Sequence, residues 1–222
     1  MIPINELKNA KYITLIVDAK SFALGSALYS FVLMQHKKVA LICNETLPKQ
    51  YSFIPWYDKL KKQVAVSSDY IYKVDTSSKE LYSFFQENNY KINQKIATSL
   101  YSALVIEFDF FHSKKVDGTI FALASALITL GADYDTCRTY MYATLPLSYI
   151  RIQAILFSSM LLKDNATIAE LFISTQDLQS SGATFEECFI AMEECLRLVH
   201  VQEVRLVKSD DNNKIIKIIK DI

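Results

Sequence analysis

Apolar and polar positions follow two different periods along the first part of the chain. Residues 12–17 (YITLIV) and 38–43 (KVALIC) are short, nearly continuous apolar runs, the pattern of strands buried on both faces of a sheet. Between them, residues 25–36 (GSALYSFVLMQH) repeat their apolar positions with the period of a helix. These three segments predict a β-α-β unit.

The same alternation continues downstream. We predict a strand at 69–75, a helix at about 79–89, and a second helix from Gln94 that leads into an apolar strand at 101–110. Strands that alternate with helices are typical of an α/β fold with a doubly wound, mainly parallel sheet. Three further helices are predicted at 119–130, 135–142 and 146–161.

The pattern changes after the polar segment KDNAT, which we interpret as a linker. Beyond it we predict a strand, a short turn, a helix opened by the capping-box signature Thr184-x-x-Glu187, and two strands joined by SDDNN. The sequence therefore predicts two domains, an α/β domain at 1–162 and a small α+β domain at 163–222.

Charge and apolar run length exclude two classes of partner. Lysine plus arginine and aspartate plus glutamate number 24 each, so no net field attracts a polyanion, and general nucleic-acid binding is disfavoured. The longest apolar run, residues 119–130, is far shorter than the roughly 20 residues of a membrane span. The first residues have no signal-peptide pattern. We therefore expect a soluble, cytoplasmic protein with no membrane partner.

Cysteine, histidine and glycine patterns indicate no cofactor. The four cysteines have no C-x-x-C spacing, and the three histidines have no metal-ligand spacing. The four glycines are accounted for by helix ends, loops and turns, which leaves none for a phosphate-binding glycine-rich loop. No cofactor is predicted from these residues.

Several phrases, taken in order, resemble one family. They are ALGSAL (23–28), LPKQYSFIP (47–55), KVDTS (73–77), IATSLYSALVIEFDFF (96–111), LITLGAD (127–133) and the tail at 168–208. Together they resemble the DHH phosphoesterases, in particular the branch with a DHHA1 C-terminal domain. That branch degrades very short RNA and removes phosphate from phosphoadenosine phosphate. The resemblance implies a DHH-like first domain and a second domain similar to part of DHHA1.

The resemblance also implies a metal site, but this chain lacks the metal ligands of the first motif. Family members hold a pair of manganese-type ions at the carboxyl ends of the parallel strands, where the ions clamp the oxygens of a phosphate ester. Carried over residue by residue, the first motif places Ile16 at a histidine and places Lys20 and Phe22 at two aspartates. All three ligands of that motif are replaced.

The later motifs are incomplete as well. Asp75 matches the aspartate of the second motif, but the following segment leaves no room for the third, DHH motif. At the fourth motif Glu107 stands where an aspartate is expected, and Asp109 replaces a glycine. On this resemblance we expect the second domain, as given to Ile222, to be without the glycine-rich segment with which the family holds substrate.

These replacements suggest a vestigial site formed by Lys20, Asp75 and Glu107, in which a lysine compensates for the charge of the lost metal ions. Carboxylates that face each other in a crevice without a cation are unfavourable. We therefore expect the Lys20 ammonium to pair with Asp75 or Glu107, while the Phe22 ring fills the remaining volume. Simpler interpretations stay open: Asp75 caps the turn that follows its strand, and Glu107 forms a satisfied structural pair.

The metal alternative also stays open. Asp18 and Asp109 would join Asp75 and Glu107 to bind one ion weakly, since acid clusters at strand ends select hard cations.

The leading functional hypothesis is a degenerate phosphoesterase-like protein, a pseudoenzyme, that acts through binding. Its partner would be another protein or a second copy in a homo-oligomer, and the aromatic clusters at 51–57 and 81–85 would form the interface. One alternative is a residual phosphoesterase with an altered metal site. Another is a regulator that binds a nucleotide without hydrolysing it.

Overall fold

The structure is a computed structural model that describes residues 2–63, 68–141 and 145–220. It divides into two compact units, Met1–Thr144 and Leu145–Ile222.

The first unit combines a four-stranded sheet with helices. Its elements are α1 (Ile4–Asn9), β1 (Tyr12–Ile16), α2 (Phe22–Met34), β2 (Lys38–Ile42), β3 (Leu60–Lys61), β4 (Tyr70–Lys73), α3 (Ser78–Glu87), α4 (Gln94–Glu107), α5 (Gly118–Thr129) and α6 (Tyr134–Met141). The strand order is β3-β2-β1-β4, and every pair of neighbours is parallel. The predicted α/β class with a mainly parallel sheet is confirmed.

The predicted β-α-β unit is β1-α2-β2, and α2 packs very closely against the sheet. Ile13 and Leu15 of β1 are fully buried in the core of the first unit. Helix α2 crosses the sheet at Gly25, where a Cβ atom would overlap Cγ1 of Val17 and lie 3.2 Å from Cδ1 of Leu41. Only glycine leaves enough space here for the helix to pack this near the strand.

The predicted strand at 101–110 is wrong, because residues 101–107 lie in α4 and the rest lie in the turn that follows it. The Asn93 side chain accepts a hydrogen bond from the amide of Ile96 and so starts the helix. Ile96, Leu100 and Leu104, spaced four apart, are all fully buried. Because most of α4 is buried, its apolar residues form no narrow stripe, and such a segment resembles a buried strand in sequence.

The second unit packs three helices with a four-stranded sheet. Its elements are α7 (Leu147–Ser158), β5 (Leu161–Lys163), β6 (Ile168–Ile173), α8 (Thr175–Ser181), α9 (Phe185–Cys195), β7 (Glu203–Lys208) and β8 (Lys214–Lys220). The strand order is β5-β6-β7-β8, with only β6 and β7 parallel. The Thr184 capping box begins α9 as predicted, and α8 occupies the segment predicted as a turn.

The boundary between the units differs from the predicted one at residue 162. Helix α7, assigned to the first domain, contributes Tyr149, Ile152 and Leu156 to the core of the second unit. The supposed KDNAT linker is the turn of the β5-β6 hairpin, in which Asp164 and Asn165 adopt positive φ. Polar residues suit both a linker and a hairpin turn, so composition alone did not distinguish the two.

Within the described ranges, no single helix is long and apolar enough to cross a membrane. Helices α5 and α6 reach that length only when taken together, and they meet at an angle of 118°.

The four cysteines are expected to be unreactive in the folded protein. All are buried and unpaired, and burial raises the pKa of the Cys137, Cys188 and Cys195 thiols to about 11 each. The thiolate is the reactive form, so little of it exists near neutral pH. With Ellman's reagent at pH 8, we expect less than one thiol per chain to react within minutes. All four should react in guanidinium, and a thiol that reacts quickly without denaturant would contradict the burial.

Candidate functional site

A cleft of about 900 Å³ opens at the carboxyl ends of β1 and β4. The loops after these two strands and the last turn of α4 form its walls. This end of an open parallel sheet is where α/β proteins bind ligands. The polar residues that line it are Asp18, Lys20, Ser21, Tyr51, Asp75, Thr76, Ser77, Glu80 and Glu107.

Asp18 is engaged in the turn that begins α2. Its carboxylate accepts hydrogen bonds from the Ser21 amide at 2.8 Å and from the Ser21 hydroxyl at 2.7 Å. The Ser21 hydroxyl oxygen in turn accepts from the Asp18 amide at 3.0 Å. These bonds, the one from the Ser21 side chain first, lower the pKa of Asp18. The carboxylate therefore has a structural partner within its own loop.

Glu107 forms the satisfied structural pair that was one of the open alternatives. Its Oε2 atom accepts hydrogen bonds from the Ser78 amide at 2.9 Å and from the Ser78 hydroxyl at 2.7 Å. Ser78 is fully buried and is the first residue of α3. The carboxylate at the end of α4 thus caps the amino end of α3, where negative charge is favoured.

The amino end of α3 is capped by residues that the sequence prediction missed. The Ser77 side chain accepts from the Glu80 amide at 3.2 Å, and Glu80 accepts from the Ser77 amide and from the Thr76 hydroxyl, each at 3.0 Å. The bond from the Ser77 amide is the main cause that lowers the pKa of Glu80. The signature Ser77-x-x-Glu80 is a capping box and could have been recognised in the sequence.

Asp75 does not take the capping role that the sequence suggested for it. Its side chain is exposed, and it accepts no hydrogen bond and forms no ion pair with the residues that the structure describes. The reason is local, since Ser77 and Glu80 already satisfy the amides at the start of α3. Asp75 is therefore the one cleft carboxylate without a described partner.

The ion pair expected for Lys20 is not formed. Lys20 lines the same cleft as Asp75 and Glu107, but it is exposed and, over the described ranges, it makes no ion pair within 4 Å. Glu107 already has two hydrogen-bond donors, and water solvates the exposed charges of Lys20 and Asp75. An exposed pair would gain little free energy by forming.

The Phe22 ring, which was expected to fill volume in the vestigial site, lies in the core and is not among the residues that line the cleft. It is fully buried, belongs to the core of the first unit and meets Tyr57 edge-on at 5.9 Å between ring centroids. An apolar ring thus occupies the position that the resemblance assigns to a metal-binding aspartate.

The four-acid cluster considered for one metal ion is not assembled. Asp109 does not line the cleft; it lies in a short 3-10 turn after α4. Among the residues whose positions are described, no group of three or more His, Cys, Asp or Glu side chains is arranged to hold a metal ion. The residues present therefore do not fit the paired metal ions that the resemblance implies.

Charge in the cleft is unbalanced toward the negative. Four carboxylates, those of Asp18, Asp75, Glu80 and Glu107, face a single ammonium group on Lys20. Without a bound cation, this arrangement repels phosphate groups. In the absence of a cation, this charge disfavours the binding of a nucleotide.

We expected the aromatic clusters at 51–57 and 81–85 to form an exposed interface. In the structure, most of their side chains are buried or half-buried instead. Tyr51 and Ile54 are buried, and Phe53, Trp56 and Tyr57 pack against the core of the first unit. In the second cluster Leu81, Phe84 and Phe85 are core residues, and Tyr82 packs against them. These aromatic side chains are explained by packing.

A pair of variants separates the two acids that the resemblance aligns with metal ligands. Glu107→Ala removes the cap of α3 and leaves the buried Ser78 without its acceptor, so we expect a loss of about 1–2 kcal/mol in the free energy of unfolding. Asp75→Ala is the matched control and should change it by less than about 0.5 kcal/mol. Urea denaturation followed by Trp56 fluorescence measures both. Equal losses for the two variants would contradict the assigned hydrogen bonds.

Comparison with known proteins identifies the fold. No protein-family model and no curated protein matches the chain. Among solved structures, the chain is similar to an exopolyphosphatase-related protein from Bacteroides fragilis, with a TM-score of 0.77 and 13% identity over 96% of this chain and 79% of that one. A putative family II inorganic pyrophosphatase from Methanococcus jannaschii has a TM-score of only 0.36, with 13% identity over 88% of this chain and 83% of that one. The first likeness shows the fold alone: the chain folds like that exopolyphosphatase-related protein over nearly its whole length.

Proposed function

We propose that the chain is a phosphoesterase-like protein that has lost two-metal phosphoester hydrolysis and acts by binding. The single observation that carries this proposal is the state of the cleft. Phe22, at a position that the resemblance assigns to an aspartate, is buried in the core, Glu80 and Glu107 cap α3, and Asp18 is held by Ser21 in the loop before α2.

The charges of the cleft support this choice over a nucleotide regulator. A phosphate group entering the cleft would meet four carboxylates and one exposed lysine, which is unfavourable without metal ions to neutralise it. A protein partner or a second copy of the chain needs no such neutralisation.

Residual phosphoesterase activity is the second candidate, favoured by the same negative charge. Asp75 has a free carboxylate, and an acidic cleft attracts a hard divalent ion. A single ion held by few protein ligands would bind weakly, and it would stabilise fewer of the reacting oxygens than a pair of ions does.

A hydrolysis assay distinguishes the two candidates. The purified full chain is incubated with manganese and one substrate in each reaction. The three substrates are a short RNA dinucleotide, phosphoadenosine phosphate and bis-nitrophenyl phosphate. We expect no hydrolysis above the rate of a sample without protein. Saturable turnover that Asp75→Asn abolishes, while Glu45→Gln outside the cleft lining leaves it unchanged, would establish the residual enzyme and overturn the proposal.

A further inference from the structure

An apolar pocket of about 250 Å³ lies on the first unit and shares no lining residue with the cleft. It is open to solvent on one side and is bounded by α4, by the 3-10 turn that follows α4, and by α6. Its main lining residues are Tyr101, Val105, Phe110, Phe111, Tyr134 and Arg138. Neither the resemblance nor the proposed function assigns a role to this pocket.

Aromatic rings form the walls of the pocket. Tyr101 and Tyr134 meet edge-on, with ring centroids 5.9 Å apart, and Phe111 stacks on Phe121 at 5.6 Å. A shallower groove continues from the pocket over α5 and shares Tyr101, Phe111 and Tyr134 with it. Although the ring of Phe121 is 56% exposed, it is held in place by this stacking. Such a surface suits a flat, apolar ligand.

The turn that carries two of these rings has an unfavourable backbone. Asp109, Phe110 and Phe111 have φ values of 46°, 52° and 66° in succession, in the left-handed region that residues other than glycine disfavour. Both phenylalanines of this turn line the pocket. Backbone strain of this kind persists where the surroundings enforce it and is common at ligand sites.

Arg138 is the single charged residue among those that line the pocket. Its side chain is exposed and, within the described ranges, it makes no ion pair. A guanidinium group offers a planar pair of donors that matches a carboxylate. The pocket therefore combines apolar aromatic walls with one unpaired cation at the rim.

The volume limits the size of the ligand. A cavity of about 150 Å³ accommodates benzene. The 250 Å³ available here thus leaves room for one aromatic ring and a short chain that ends in a charged group. We propose that this pocket binds a small aromatic carboxylic acid, with its ring between the tyrosine and phenylalanine side chains and its carboxylate on Arg138. This inference does not depend on whether the cleft hydrolyses phosphate esters.

Three compounds with the same ring test the chemistry of the pocket. Phenylpropionate, phenylpropanol and phenylpropylamine differ only in whether the end group is negative, neutral or positive, and each is titrated into the full chain by calorimetry. We expect saturable binding of the acid, binding of the alcohol that is weaker by about 10-fold or more, and no binding of the amine. Equal affinity for all three, or no saturable binding of the acid, would overturn the proposal.

Two arginine variants test the assigned contact. Arg138→Gln should weaken binding of phenylpropionate by about 10-fold and leave binding of phenylpropanol unchanged, because only the acid uses the guanidinium. Arg151→Gln replaces an exposed arginine of α7 and should change neither. Thermal melts confirm that both variants are folded. If Arg138→Gln binds phenylpropionate as tightly as the wild type does, the proposal is overturned. It is also overturned if the protein forms a dimer that abolishes binding, since a second copy would then occupy the groove.

Discussion

Replacing Phe22 with alanine is expected to lower the free energy of unfolding of the first unit by about 3–5 kcal/mol. The ring is fully buried in the core, and alanine leaves a cavity that the surrounding strand and helices fill only in part. Phe22→Asp, which restores the residue of the resembled motif, should prevent folding near neutral pH, because a buried carboxylate there finds no described cation. The fluorescence of the single tryptophan, Trp56, reports on this unit during chemical denaturation.

Phe121→Ala is the matched control for Phe22→Ala. Its ring is 56% exposed and has one stacking partner, so we expect a loss of less than about 1 kcal/mol. A folded Phe22→Asp variant with near-normal stability would mean that the position is open to solvent, contrary to the structure.

Replacing Gly25 with alanine is expected to destabilise the first unit by about 3 kcal/mol. The added methyl group would overlap Cγ1 of Val17 and press on Leu41, so α2 would have to move away from the sheet. Gly118→Ala is the control, since no heavy atom lies within 4 Å of the position of its Cβ and its effect should be close to zero. Denaturation midpoints of the two variants give the comparison.

A double variant shows whether the expected loss arises from this contact. Val17→Ala removes the side chain that the new methyl group would meet, so Gly25→Ala should cost less in that background than in the wild type. Equal costs in the two backgrounds would place the strain elsewhere.

The first half of the fold could be predicted from local pattern. Both strands of the β1-α2-β2 unit are apolar runs of strand length, and α2 begins near a glycine that the packing requires. Helix α4 could not be distinguished from a strand by period, because burial on most sides removes the polar face that reveals a helix. Its length of 14 residues and the Asn93 cap were the better guides.

The place of the cleft could be predicted from sequence, but its hydrogen bonds could not. Lys20, Asp75 and Glu107, found by resemblance, all line one cleft. The bond from Ser78 to Glu107 joins residues 29 apart in sequence and depends on how α3 packs on α4, which no local pattern encodes. The bonds between Ser77 and Glu80 are local, and a capping-box signature marks them.

Manganese content at equilibrium tests the central claim most directly. The full chain is dialysed against millimolar manganese, passed rapidly through a desalting column and analysed for metal by mass spectrometry. Because three of the four carboxylates of the cleft already accept hydrogen bonds and Phe22 stands at a ligand position of the resembled motif, we predict a ratio of manganese to protein close to zero. A ratio near two that falls in Asp75→Asn would show that the cleft holds the paired ions of a working phosphoesterase, and the account would be wrong.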